Sequence, residues 1–196
     1  MPLIKHDGLA DDPWVSLGDD DVLPGNAPII VSVERWRAER DVLVGRGGAL
    51  GIRLAAEDSP AEIAADLERF QLVALDFPKF TDGRAYSTAR LLRERYGFKG
   101  EVRATGQVLR DQLLFMWRCG FDAFEVAGKN ADEDALEGWR TAMGELGVSY
   151  QTAADRRLPA HALRRRRARE TAAAAGETVA HPGKPEVAEA GAYSAG

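Results

Sequence analysis

Leu72–Phe77, Leu-Val-Ala-Leu-Asp-Phe, is a nearly unbroken apolar run flanked on both sides by stretches of helical period. A run that short has the length of a strand, and its continuity suits a strand covered on both faces, as in parallel sheets. The same unit recurs along the middle of the chain. Gly51–Ala55 reads as a strand, and Ser59-Pro60-Ala61-Glu62 then supplies a cap, a first-turn proline and an acid three residues after the cap. Ile63, Leu67 and Phe70 lie on one face of the helix that follows. A second helix is expected from about Gly83 to Tyr96, a strand over Glu101–Thr105, a helix over Val108–Arg118, a strand over Ala123–Ala127 and a helix over Asp132–Leu146. Val148–Gln151 could add one more strand. Strands separated by single helices are joined by crossovers, so the fold is read as α/β, built of repeated βα units with a mainly parallel sheet. A closed eight-stranded barrel takes about 250 residues, and the chain has 196. An open sheet or a partial barrel is therefore expected, and periodicity does not choose between them.

Both ends differ from this core, which spans residues 49–152. Residues 1–48 read as a flexible lead-in with one or two short strands, Ile29–Val33 being the best, because Asp19-Asp20-Asp21 and the Pro/Gly/Asn cluster at 24–28 punctuate them. Residues 153–196 are dominated by Ala, Arg, Glu, Pro and Gly, and are expected to form a basic helical stub and a disordered tail. Net charge is −5, divided as −7 over residues 1–70, −1 over 71–150 and +3 over 151–196. A nucleic-acid clamp needs a basic face on its folded part, so no nucleic-acid partner is expected. Arg164–Arg167 reads as a solvated tail helix. No run approaches the ~18 apolar residues of a membrane helix, and no signal-peptide pattern opens the chain. The one cysteine, Cys119, cannot make an internal disulfide, and His6, His161 and His181 all fall in the ends. No metal site is expected, and a cytoplasmic location follows.

Ligands of such sheets gather at the carboxyl ends of the strands. That rule selects Phe77-Pro78-Lys79-Phe80-Thr81-Asp82-Gly83-Arg84 and Gly106-Gln107-Val108-Leu109-Arg110-Asp111-Gln112. Lys79, Arg84, Arg90 and Arg110 would supply charge to a small anion, and Thr81 and Ser87 hydroxyls. Asp82 and Asp111 are the weak candidates for acid/base catalysis. The competing reading makes Thr81 or Asp82 a helix cap and Arg84, Arg90 and Arg93 a solvated face. Arg103 interrupts an apolar strand, where a buried charge needs a carboxylate, Asp76 being the obvious one, or a ligand, and a solvated strand edge is the third possibility. Gly45–Gly51 resembles a phosphate loop but leads into a strand instead of opening a helix, so it is not read as a dinucleotide site. No cofactor motif is evident, and a flavin held without one stays open.

The segment Leu72–Val126 closely resembles an uncharacterised bacterial family, the domain of unknown function 934. The blocks that carry the likeness are Phe77–Ser87, Gly100–Gly106, Arg110-Asp111-Gln112 and Gly120–Phe124. Genes of this family commonly lie beside those for assimilatory sulfite reductase, and its members are often labelled probable oxidoreductases of sulfite reduction. The resemblance implies a role in sulfur assimilation and supplies no catalytic residues. Reducing sulfite to sulfide takes six electrons and needs a redox cofactor, for which this chain shows no motif. The expected function is an accessory protein of sulfite reduction that binds the reductase or its electron donor, and with it a small sulfur oxyanion. The alternative is an enzyme acting on a phosphorylated or sulfur-containing metabolite at the same loops.

Overall fold

The computed structural model describes residues 3–5, 8–125 and 137–138. Eight strands form one sheet: β1 (Leu3–Lys5), β2 (Gly8–Ala10), β3 (Val15–Ser16), β4 (Ile29–Ser32), β5 (Leu50–Leu54), β6 (Leu72–Phe77), β7 (Glu101–Gly106) and β8 (Ala123–Glu125). Their spatial order is β2-β1-β8-β7-β6-β5-β4-β3. From β3 to β8 every pairing is parallel, while β1 runs antiparallel to both β8 and β2. The α/β reading with a mainly parallel sheet holds, and the sheet is curled into a half-barrel.

Two features of the chain require that curl. The strands β4 to β8 lie side by side in chain order, so right-handed crossovers place every connecting helix on one face. In addition, β2 and β3 occupy opposite edges of the sheet, yet only residues 11–14 join them. A flat eight-stranded sheet is about 33 Å wide. The link from Ala10 to Val15 reaches about 17 Å at most, so the two edges must approach each other.

The connecting elements are α1 (Val33–Gly45), a 3-10 helix (Pro60–Arg69), α2 (Arg84–Arg90) continued by a wider turn over Leu91–Arg95, and α3 (Leu113–Cys119) behind a short 3-10 turn (Arg110–Gln112). The Ser59 capping box forms as expected. Alternate strand residues, among them Ile29, Val31, Ile52, Val73, Leu75, Phe77, Val102, Ala104 and Phe124, pack against these helices in one core with Trp36, Leu43, Ile63, Phe70, Leu92 and Met116. The opposite, concave face has a small cluster of Ile30, Leu72 and Ala74 under the ring of Trp14.

The lead-in expected over residues 1–48 is instead part of the sheet. It contributes four strands and a thirteen-residue helix. The strand expected at Ile29–Val33 is β4, whereas β1, β2 and β3 are two or three residues long, too short for alternation to register. In α1 the stripe is broken, for Arg35 is buried beside Val33, Trp36 and Leu43, and the backbone leaves helical geometry at Glu39. Arg35 turns its guanidinium onto the carbonyls of Gly18 and Asp21 at 2.6 and 2.7 Å, which fixes the loop before β4. The expected helix over Asp132–Leu146, the strand over Val148–Gln151 and the tail from residue 153 lie outside the described residues, apart from 137–138.

Candidate functional site

The carboxyl ends of β6 and β7 carry the two loops singled out in the sequence, and the structure joins them. The main-chain N–H of Gln107 donates to the carbonyl of Phe77 at 2.8 Å. The Gln107 side-chain oxygen accepts from the Phe80 N–H at 3.4 Å, and the Gln112 amide donates to the Phe80 carbonyl at 3.0 Å. Both loops thus form one rim. Gly106 makes the turn possible, with φ of +85° and a position so close to β6 that a Cβ would stand 2.5 Å from the Phe77 carbonyl oxygen.

On this rim Lys79, Thr81, Arg110 and Asp111 are exposed, as are Arg84, Ser87 and Arg90 along α2. The arginines differ in what they already hold. Arg84 forms a fork on Asp82, with Nη2 at 2.6 Å, and that guanidinium draws the Asp82 carboxyl down to about 2. Arg90 is paired with Glu94 at 3.1 Å. Lys79 and Arg110 make no ion pair among the described residues. The same elements carry two exposed aromatic rings, Phe80 next to Lys79 in the chain at 51% and Phe115 in α3 at 56% exposure. Phe115 also touches the ring of Tyr86, centroid to centroid 4.9 Å.

Two sequence readings of arginines need correction. Arg103 is fully buried on the concave face and does not meet Asp76. Its Nε donates to Glu101 at 2.8 Å, Nη1 to Asp12 at 2.7 Å and to Glu125 at 3.1 Å, and Nη2 to Asp12 at 3.0 Å. Asp76 is one strand over and two residues too far toward the rim, where it accepts from the Thr105 hydroxyl at 3.2 Å. Arg93 is not a solvated side chain either. Its guanidinium is 11% exposed, donates to the carbonyls of Gly120, Phe98 and Gly100 and pairs with Asp122, tying the turns before β7 and β8 together.

Lys5 adds a further contact to Glu101 at 2.7 Å, so the concave face has a network of two cations and three carboxylates. In the same row as Arg103, across Ala74, sequence reading passed over Arg53. It interrupts Leu-Gly-Ile-Arg-Leu in β5 as Arg103 interrupts β7, and the same signal applied evenly would have found it. Cys119 is buried, and burial pushes its thiol up, which fits a packed side chain. Among the described residues no three His, Cys, Asp or Glu side chains are grouped to hold a metal ion. Likewise, none of the helices described is long and apolar enough to cross a membrane.

Comparison with known families matches residues 51–161 to one described as a bacterial protein of unknown function (DUF934). That match takes in β5 to β8 and the whole rim. No curated protein matches the chain.

Proposed function

The chain belongs to this bacterial family of unknown function, DUF934, and we propose that it acts as an accessory protein of assimilatory sulfite reduction, docking the reductase or its electron donor on the rim above β6 and β7. The observation that carries this reading is the joined rim itself, where the loop cations Lys79 and Arg110 and the ring of Phe80 are exposed, with the exposed ring of Phe115 in the adjoining α3. Exposed aromatic rings and arginine are residue types enriched in protein–protein interfaces. The glutamine braces hold this surface in place before a partner arrives, which lowers the ordering cost of binding. The likeness to sulfite-reduction proteins over Leu72–Val126 supplies the choice of partner.

An enzyme using Asp82 as its acid or base is the weaker reading. A carboxyl held near 2 stays ionised at neutral pH and is a poor proton donor or acceptor there. Oxyanion binding at the rim would fall to Lys79 and Arg110, with Thr81 adding a hydroxyl, because Arg84 and Arg90 are already paired.

The test is affinity capture from sulfate-grown cells, with the cofactor content of each recovered band measured. The wild-type chain is expected to retain the haem- or flavin-bearing reductase components. A Lys79→Glu, Phe80→Ala, Arg110→Glu triple variant should lose them while keeping its circular dichroism. Equal recovery by both proteins, or no redox protein recovered by either, would overturn the reading.

A further inference from the structure

The link between β2 and β3 crosses the concave face as a strap, and its course decides what that face can bind. It starts at Ala10, opposite Leu3 at the mouth of the half-barrel, and ends at Val15, opposite Ile29 at the foot of β4. Midway, Asp12 holds Arg103. Lower down, Trp14 lies over Ile30, Leu72 and Ala74, and a Cβ on Gly51 would stand 3.2 Å from its ring. This diagonal covers the foot of the face and the β7–β8 side. It leaves a corner at the mouth, on the β4–β7 side, formed by Ser32, Arg53, Asp76 and Thr105.

These four share the concave face because strand residues alternate between faces and the register is known. Ser32 pairs with Arg53 and Arg53 with Ala74, while Asp76, two residues beyond Ala74, pairs with Thr105. Ser32 is already engaged, donating to Asp19 at 2.5 Å and accepting the Arg35 N–H at the start of α1. Thr105 is spent on Asp76 Oδ1 and so orients that carboxylate. What remains is a half-buried guanidinium with no hydrogen bond or ion pair among the described residues, and a half-buried carboxylate with one oxygen uncommitted. Of the in-row neighbours of Arg53, Ala74 is apolar and Ser32 holds the Asp19 carboxylate at 2.5 Å, and the next charged side chain along that row is another arginine, Arg103.

We propose that this corner binds a small α-amino or α-hydroxy acid, whose carboxylate takes the fork of Arg53 and whose ammonium or hydroxyl donates to Asp76. A guanidinium matches a planar carboxylate through two parallel hydrogen bonds. An ionised aspartate offers acceptors alone and therefore selects a donor. The two Cα atoms stand one strand apart and two residues out of step, about 8 Å, a separation that a ligand of that size bridges when the two side chains stand parallel on the face. Ala74 between them adds no bulk. The site adjoins the rim but lies on the concave face, and it does not depend on the docking proposed there.

The experiment is amide chemical-shift mapping of the full chain, titrated separately with L-serine, acetate and ethanolamine. L-serine is expected to perturb residues around Arg53, Asp76 and Thr105, with acetate weaker and ethanolamine weakest. Arg53→Met should weaken L-serine by about tenfold or more, and Arg53→Lys less, since it keeps the charge and loses the fork. Asp76→Asn should weaken L-serine and leave acetate unchanged. The Lys79→Glu, Phe80→Ala, Arg110→Glu variant should bind L-serine like the wild type. Shifts that are absent, that map elsewhere, or that persist unchanged in a folded Arg53→Met variant would overturn the proposal.

Discussion

Among single residues, the arginines divide by what surrounds them, and composition cannot tell them apart. Arg103 has no exposed surface and faces three carboxylates, so removing it would leave three partly buried negative charges together with Lys5, on Glu101, as the cation still paired to them among the described residues. Arg103→Met is expected to lower the unfolding free energy by about 3–5 kcal/mol, read from urea denaturation with an unchanged slope. Arg84 is an exposed partner, and its effect appears in Asp82. Because the native carboxyl is lowered to about 2, the pair favours the folded state above the ordinary aspartate range, and the benefit fades as pH falls through the native value. A carboxyl titration followed by NMR should place Asp82 near 2 in the wild type and raise it toward the usual range in Arg84→Ala, where the main-chain N–H of residue 84 still holds it partly down. That Arg103 would need a partner was legible from a charge inside an apolar strand. Which partner it has was not, because Asp12 is 91 positions away and arrives on a strap no local pattern announces.

At the scale of elements, the turn from β7 into α3 joins the two halves of the rim. At Gly106 a side chain would meet both a positive φ and the immobile Phe77 carbonyl, with Asp76 Oδ1 at 2.8 Å as well. Gly106→Ala should cost about 1–3 kcal/mol, measured by urea unfolding, and should speed hydrogen exchange of the Gln107 amide as its bond to Phe77 loosens. Strand β6 and the capping box at Ser59 stood clearly in the sequence because each signal is local: an apolar run, and a cap, proline and acid at fixed spacing. Helix α1 did not, for its buried face includes Arg35, whose partners Gly18 and Asp21 lie in a preceding loop.

For the whole molecule, closure rests on the N-terminal hairpin. β1 covers the edge of β8, Lys5 reaches Glu101, and β2 leads into the strap. Deleting residues 1–10 should uncover a strand edge and drive association, seen as species larger than the monomer in sedimentation velocity. A truncated chain that sediments like the full one would show that the hairpin does not protect that edge.

The sequence by itself determined the alternation of strand and helix over Leu50–Glu125 and, through the crossover rule, the parallel sheet. It also placed Lys79 to Arg84 and Arg110 at the carboxyl ends of strands, where loops are free to bind. The tertiary structure alone decided how far the sheet curls, which arginines are already paired, and that Arg53 and Asp76 share an uncovered corner. Those outcomes depend on contacts between residues far apart in the chain, and the periodicity of a short window contains no information about such contacts.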